Sequence, residues 1–138
     1  HLYDVVIFDR CIFDSYCWME YWHEKDKLTL EQKNIIQSFF LSPFWSDKID
    51  VAYFMTCHPS RSMAREQRIA LTEKLGETTN PQIIRALVDR YQRAYQILSP
   101  QYSQIHLIDT TDLTEQAMVE KIAEITLNAL EAKTQSGI

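Results

Sequence analysis

Three places in this chain combine residue types that can do chemistry. The first is Asp9-Arg10, a carboxylate and a guanidinium directly after the apolar run Val5-Val6-Ile7-Phe8. A carboxylate in that position can hold a magnesium-bound water or accept a hydroxyl proton, and an arginine can grip a phosphate through two parallel bonds. The plainer alternative is an ion pair at the edge of a sheet. The second is the basic run Arg61, Arg65 and Arg68, spaced to share one helix face. Phosphoryl transfer needs positive groups of this kind around the moving phosphate, because little covalent work is left to the protein. A solvated basic helix with Glu66 as partner explains the same run without function. The third comprises Cys57-His58-Pro59 and Asp109-Thr110-Thr111, two short polar segments that each follow an apolar stretch.

Other residue types set limits. Only two glycines occur, Gly76 and Gly137. A glycine-rich loop that wraps phosphates with backbone N–H groups is therefore not encoded in these residues. The three cysteines, Cys11, Cys17 and Cys57, have no regular spacing. They match neither a disulfide framework nor a zinc pattern, and buried thiols in a reducing, cytoplasmic compartment are the expectation. Phe13, Tyr16, Trp18, Tyr21 and Trp22 can stack on a base or fill a core. His58 and His106 are expected to be structural histidines. The net charge of −5 disfavours non-specific binding to nucleic acid or an anionic membrane. No run approaches the roughly eighteen apolar residues of a membrane span.

The elements that must position these residues follow from pattern. Tyr3 to Phe8, Asp50 to Thr56 and Ile105 to Asp109 are β-branched or apolar runs, read as strands near 3–8, 51–56 and 104–109. A helix is expected over about 13–23. A second begins at Thr29, where Thr29 and Gln32 form a capping box, and ends before Pro43. Pro59 opens the arginine-bearing helix. Asn80-Pro81 is a cap followed by a proline in the first helical position, and Ile83, Ile84, Leu87, Val88, Tyr91, Ala94, Tyr95 and Leu98 recur at helical spacing. A last helix is expected over about 114–132, with 133–138 a frayed tail. Strands alternating with long helices imply an α/β, three-layer domain over 1–132 built on a parallel sheet. Ligands in such sheets bind beyond the carboxyl ends of the strands, which is where the three polar places lie.

Taken in order, the segments Asp4 to Trp18, Asp50 to Arg68 and Ile105 to Asp112 resemble the C-terminal part of P-loop kinases of the thymidylate kinase and deoxynucleoside kinase group. The resemblance covers nearly the whole chain. It implies a P-loop NTPase-like fold, incomplete because the first strand, the phosphate-binding loop and its helix are absent from these residues. In that fold the absent strand lies between the strands near 3–8 and 51–56. The resemblance further implies an ATP-dependent phosphotransferase using ATP and magnesium (Mg2+), inactive without the phosphate-binding loop. That loop would come from a missing N-terminal half or from a second copy of the chain. Residue by residue, Asp9 would be the catalytic or magnesium-linked acid and Arg10 would bind substrate phosphate or orient the acceptor. Arg65 and Arg68, with Arg61, would be phosphate-binding lid arginines. Phe13 and Tyr16 would face the acceptor base, and Thr110 and Thr111 would line the adenine pocket.

Two rival readings remain. Val5 to Ser15 also resembles the first motif of haloacid-dehalogenase-type phosphatases, with Asp9 as nucleophile. There Cys11 stands where a second acid is required, and no threonine follows nearby. The other rival is a non-catalytic, kinase-like binding module.

Overall fold

The computed structural model describes residues 5–69 and 80–136, the side chains at 66–69 and 136 excepted. The described elements run α1 (Ile12–Glu24), α2 (Leu30–Phe40), α3 (Pro43–Ser46), β1 (Ala52–Thr56), α4 (Pro59–Ile69), α5 (Pro81–Leu98), β2 (Ile105–Asp109) and α6 (Glu115–Ser136). The chain divides into two compact units, His1–Ala52 and Tyr53–Ile138.

The first unit is built from helices. α1 packs on α2, and Phe13, Tyr16 and Cys17 form the buried stripe that the spacing of α1 provides. Phe13 is fully enclosed, at 0% exposure. Burying a side chain of that size contributes about 1.5–3 kcal/mol. A polar tie crosses the same contact. Gln37 is buried, and its Nε2 donates to the Tyr16 carbonyl at 3.2 Å and to Glu20 Oε1 at 2.8 Å. Lys33 Nζ lies 3.0 Å from the same Glu20 oxygen. The capping box at α2 forms as its sequence implies. The Thr29 hydroxyl accepts from Gln32 N–H at 3.2 Å, and the Gln32 side chain accepts from Thr29 N–H at 2.9 Å. Pro43 ends α2 and also occupies the first turn of α3, a short helix that the sequence reading did not anticipate.

The second unit is layered. β1 and β2 form a two-stranded parallel sheet. Successive strand side chains point to opposite faces. Phe54 accordingly meets α5, its ring 5.5 Å from Tyr91 in an edge-to-face contact. Tyr53 instead meets α6, its hydroxyl donating to the Ile122 carbonyl at 3.2 Å and lying 2.7 Å from Thr126 Oγ1. Helices therefore cover both faces of the sheet. Phe54, Ala94, Leu98, Ile105 and Ile108 make up the core. α5 starts as expected, with Asn80 Oδ1 accepting from Gln82 N–H at 2.8 Å and Pro81 in the first turn.

Two sequence expectations need correction. The strand expected near 3–8 is absent over its described part. Residues 5–8 belong to no strand, and Val5, Val6, Ile7 and Phe8 are 45%, 62%, 87% and 71% exposed. A β-branched run encodes compatibility with a sheet interior but not a partner, and among the described residues β1 and β2 pair only with each other. At the other end, residues expected to fray continue α6 to Ser136, with the Thr134 hydroxyl donating back to the Leu130 carbonyl at 2.9 Å. Lys133 in the last turn suits the negative end of the helix dipole. No helix among the described residues is long and apolar enough to cross a membrane.

Candidate functional site

The carboxyl ends of the two parallel strands open onto a rim made by the β1–α4 and β2–α6 connections. The backbone joins them first: Thr110 N–H and Thr110 Oγ1–H both donate to the Thr56 carbonyl, at 2.8 and 2.9 Å. Thr110 is buried, so this pairing also meets the need of a hydroxyl cut off from water.

Arg65 supplies the second tie. Its position in the second turn of α4 brings the guanidinium back over the β2–α6 connection. Nη2 donates to the Thr110 carbonyl at 2.8 Å and to the Leu113 carbonyl at 3.3 Å. Nη1 donates to Thr110 Oγ1 at 3.1 Å and lies 3.6 Å from Cys57 Sγ. All these acceptors are neutral, so the positive charge of Arg65 is not cancelled by them. Arg61, one turn earlier, is exposed. Neither arginine forms an ion pair among the described residues.

A third tie runs through Thr111. Its hydroxyl donates to Asp109 Oδ1 at 2.5 Å and accepts from His58 N–H at 2.9 Å, while Thr111 N–H donates to the same Asp109 oxygen at 2.9 Å. The two bonds from Thr111, with a smaller contribution from the charge of His58, hold the Asp109 carboxyl below its ordinary range despite slight desolvation. His58 precedes Pro59 and acts as the cap of α4. Its carbonyl accepts from Arg61 and Ser62 N–H at 2.9 and 3.0 Å. Its ring Nδ1 lies 2.8 Å from Ser60 Oγ and 3.4 Å from Ser60 N.

Of the residues that the sequence singled out, Arg65, Thr110 and Thr111 are brought together at this rim, with Arg61 on the same helix. Thr110 contacts Arg65 and the sheet and is closed to solvent, whereas Thr111 is partly open. Arg68 continues α4, and its side chain lies outside the described residues. His58 is exposed and takes both a capping and a side-chain role. Ser60 was not singled out. A serine two positions after a histidine, across a helix-starting proline, was the signal for it.

The remaining residues belong to the first unit. Asp9 is exposed. Arg10 has a φ of 74°, in the left-handed region, which costs a residue with a Cβ about 1–2 kcal/mol. Its guanidinium reaches Asp14, one turn into α1, at 3.6 Å. Phe13 and Tyr16, expected to face a base, are buried in the α1 core. Burial, helped by the charge of Glu20, raises the pKa of Tyr16 above the usual phenol value. Trp18, Tyr21 and Trp22 instead form an aromatic cluster, with ring centroids 5.1–6.1 Å apart, Tyr21 meeting both indoles edge-on and Trp22 exposed. Among the described residues no group of three or more His, Cys, Asp or Glu side chains could hold a metal ion. No family model, no curated protein and no solved structure matches this chain.

Proposed function

We propose that this chain carries the lid-bearing, acceptor-side part of an ATP-dependent phosphotransferase acting on a nucleoside, a nucleotide or a similar hydroxyl compound. The phosphate-binding loop would be supplied by a segment outside these 138 residues or by another chain. One observation supports this above the rest: Arg61 and Arg65 sit on the helix that leaves the first of two parallel strands, with no carboxylate pairing either among the described residues. A basic rim in that position is suited to polyphosphate. Magnesium would be carried in on the phosphate. Mg2+ commonly keeps several waters and takes one or two carboxylates plus phosphate oxygens, with no protein cage required.

The test is a titration of the chain with magnesium–ATP, followed by amide chemical shifts. Shifts confined to residues 57–65 and 109–113, weakened by salt and lost in Arg61→Ala, are expected. Arg61 is exposed, so its removal leaves the fold intact. An absence of shifts at those residues up to several-fold physiological ATP, or undiminished shifts in Arg61→Ala, would refute the reading.

A further inference from the structure

At the same rim, a second constellation is arranged for different chemistry. Ser60 Oγ lies 2.8 Å from His58 Nδ1. That nitrogen also faces Ser60 N–H at 3.4 Å. An N–H can only donate, so this contact fits the neutral tautomer in which Nδ1 is unprotonated and Nε2 carries the ring proton. The imidazole thus presents its basic atom to a serine hydroxyl, the relation that general-base activation of a nucleophile requires. The backbone of His58 is fixed on both sides, by its N–H bond to Thr111 Oγ1 and by its carbonyl at the start of α4. Thr111 in turn is held by Asp109. Among the described side chains, the charged groups on α4, the end of β2 and the β2–α6 connection around His58 are Arg61, Arg65, Asp109 and Asp112. Ser60, His58 and Asp109 are all exposed, so a substrate has access.

We propose that Ser60 is a nucleophile activated by His58, with Asp109 as a positioning residue, and that the site takes small carboxylic esters. Ser60 Oγ attacks the ester carbonyl carbon while its proton passes to His58 Nδ1. The carbonyl–alkoxy bond then breaks, and the leaving oxygen takes that proton and departs as the alcohol. Water attacks the resulting acyl-serine, giving a proton to Nδ1 that returns to Ser60 Oγ as the carboxylic acid is released. This activity is separate from the phosphotransferase reading and needs no nucleotide.

The experiment exposes the chain to p-nitrophenyl acetate and, in parallel, to a fluorophosphonate, and locates adducts by peptide mass. One adduct per chain on the peptide containing Ser60 is expected, with none there in Ser60→Ala. His58→Asn keeps a competent helix cap but removes the base, so labelling should slow on the order of a hundredfold. Asp109→Asn loosens the hold on Thr111 and so on the His58 backbone, so the saturated labelling rate should fall while the probe concentration at half-saturation stays the same; unchanged saturated labelling in Asp109→Asn would remove the positioning role. Helical circular dichroism of each variant verifies that α4 persists. No adduct on Ser60, or labelling of His58→Asn at the rate of the parent chain, would overturn the proposal and reduce His58 to a helix cap.

Discussion

Replacing Arg65 by methionine probes how the rim is held. Methionine keeps most of the aliphatic stem and deletes every donor. Three oxygens lose a partner, at 2.8, 3.1 and 3.3 Å. A bond from a charged donor has a net value of about 1.5–3 kcal/mol, but the three losses are not equal. The Thr110 carbonyl keeps Leu113 N–H at 3.3 Å, and the Thr110 hydroxyl still donates to the Thr56 carbonyl. Leu113 is partly open, so water can take the vacant place at its carbonyl. The sum is therefore near the value of a single strong bond, about 2 kcal/mol, or about a 30-fold change in an opening equilibrium. Hydrogen exchange at residues 110–113 reads this directly and does not require the two units to unfold together. Arg65→Lys should recover less than half of the loss, since one ammonium cannot reproduce a forked contact with two carbonyls. Unchanged exchange at 110–113 in Arg65→Met, or full recovery in Arg65→Lys, would refute the bracing role.

Two further outcomes follow from the first unit. Burial pushes Glu20 upward, yet the bonds from Gln37 and Lys33 and the charge of Lys33 outweigh it, so its pKa is lowered on folding. Its contribution to stability is fully present above the unfolded value of about 4.3 and is lost as pH falls through the lower folded value. Urea unfolding of the parent and Glu20→Gln chains at pH 7, 5 and 3.5 should show their difference shrinking toward acid; a pH-independent difference would contradict this. Cys17 is buried, and its pKa is driven far upward, by burial first and by Asp14 and Glu20 next. Iodoacetamide should therefore modify Cys11 and Cys57 well before Cys17 in the folded chain, and equal rates would refute that order.

The parts of the fold legible in the sequence are those with local causes. The Thr29 capping box, the Asn80-Pro81 start and the 83–98 periodicity are encoded within a few residues, and each forms as written. β1 and β2 were legible because continuous apolar runs bounded by polar turns leave few alternatives. The run 5–8 has the same local character, but strand formation depends on a neighbour that its own residues do not specify. At the rim, types and places were readable and geometry was not. The spacing of Arg61 and Arg65 put them on one helix face, but it could not reveal that Arg65 would spend its donors on Thr110 and Leu113. Likewise Thr111 was readable as a residue beyond a strand, whereas its bridge from Asp109 to His58 joins residues 53 positions apart. Phe13 and Tyr16 illustrate the converse. An aromatic helix face is equally suited to a base or to a core, and the packing of α2 on α1 decides for the core.

The phosphotransferase account is tested most directly by radiolabelled γ-phosphoryl transfer from magnesium–ATP to a panel of nucleosides and nucleoside monophosphates. The assay uses the protein expressed from its full reading frame. The account predicts magnesium-dependent transfer to at least one acceptor, with Arg61→Ala slowing it by about tenfold or more, as expected when a positive group leaves a phosphoryl-transfer site. Transfer to none of the acceptors, or transfer at the parent rate in Arg61→Ala, would contradict it.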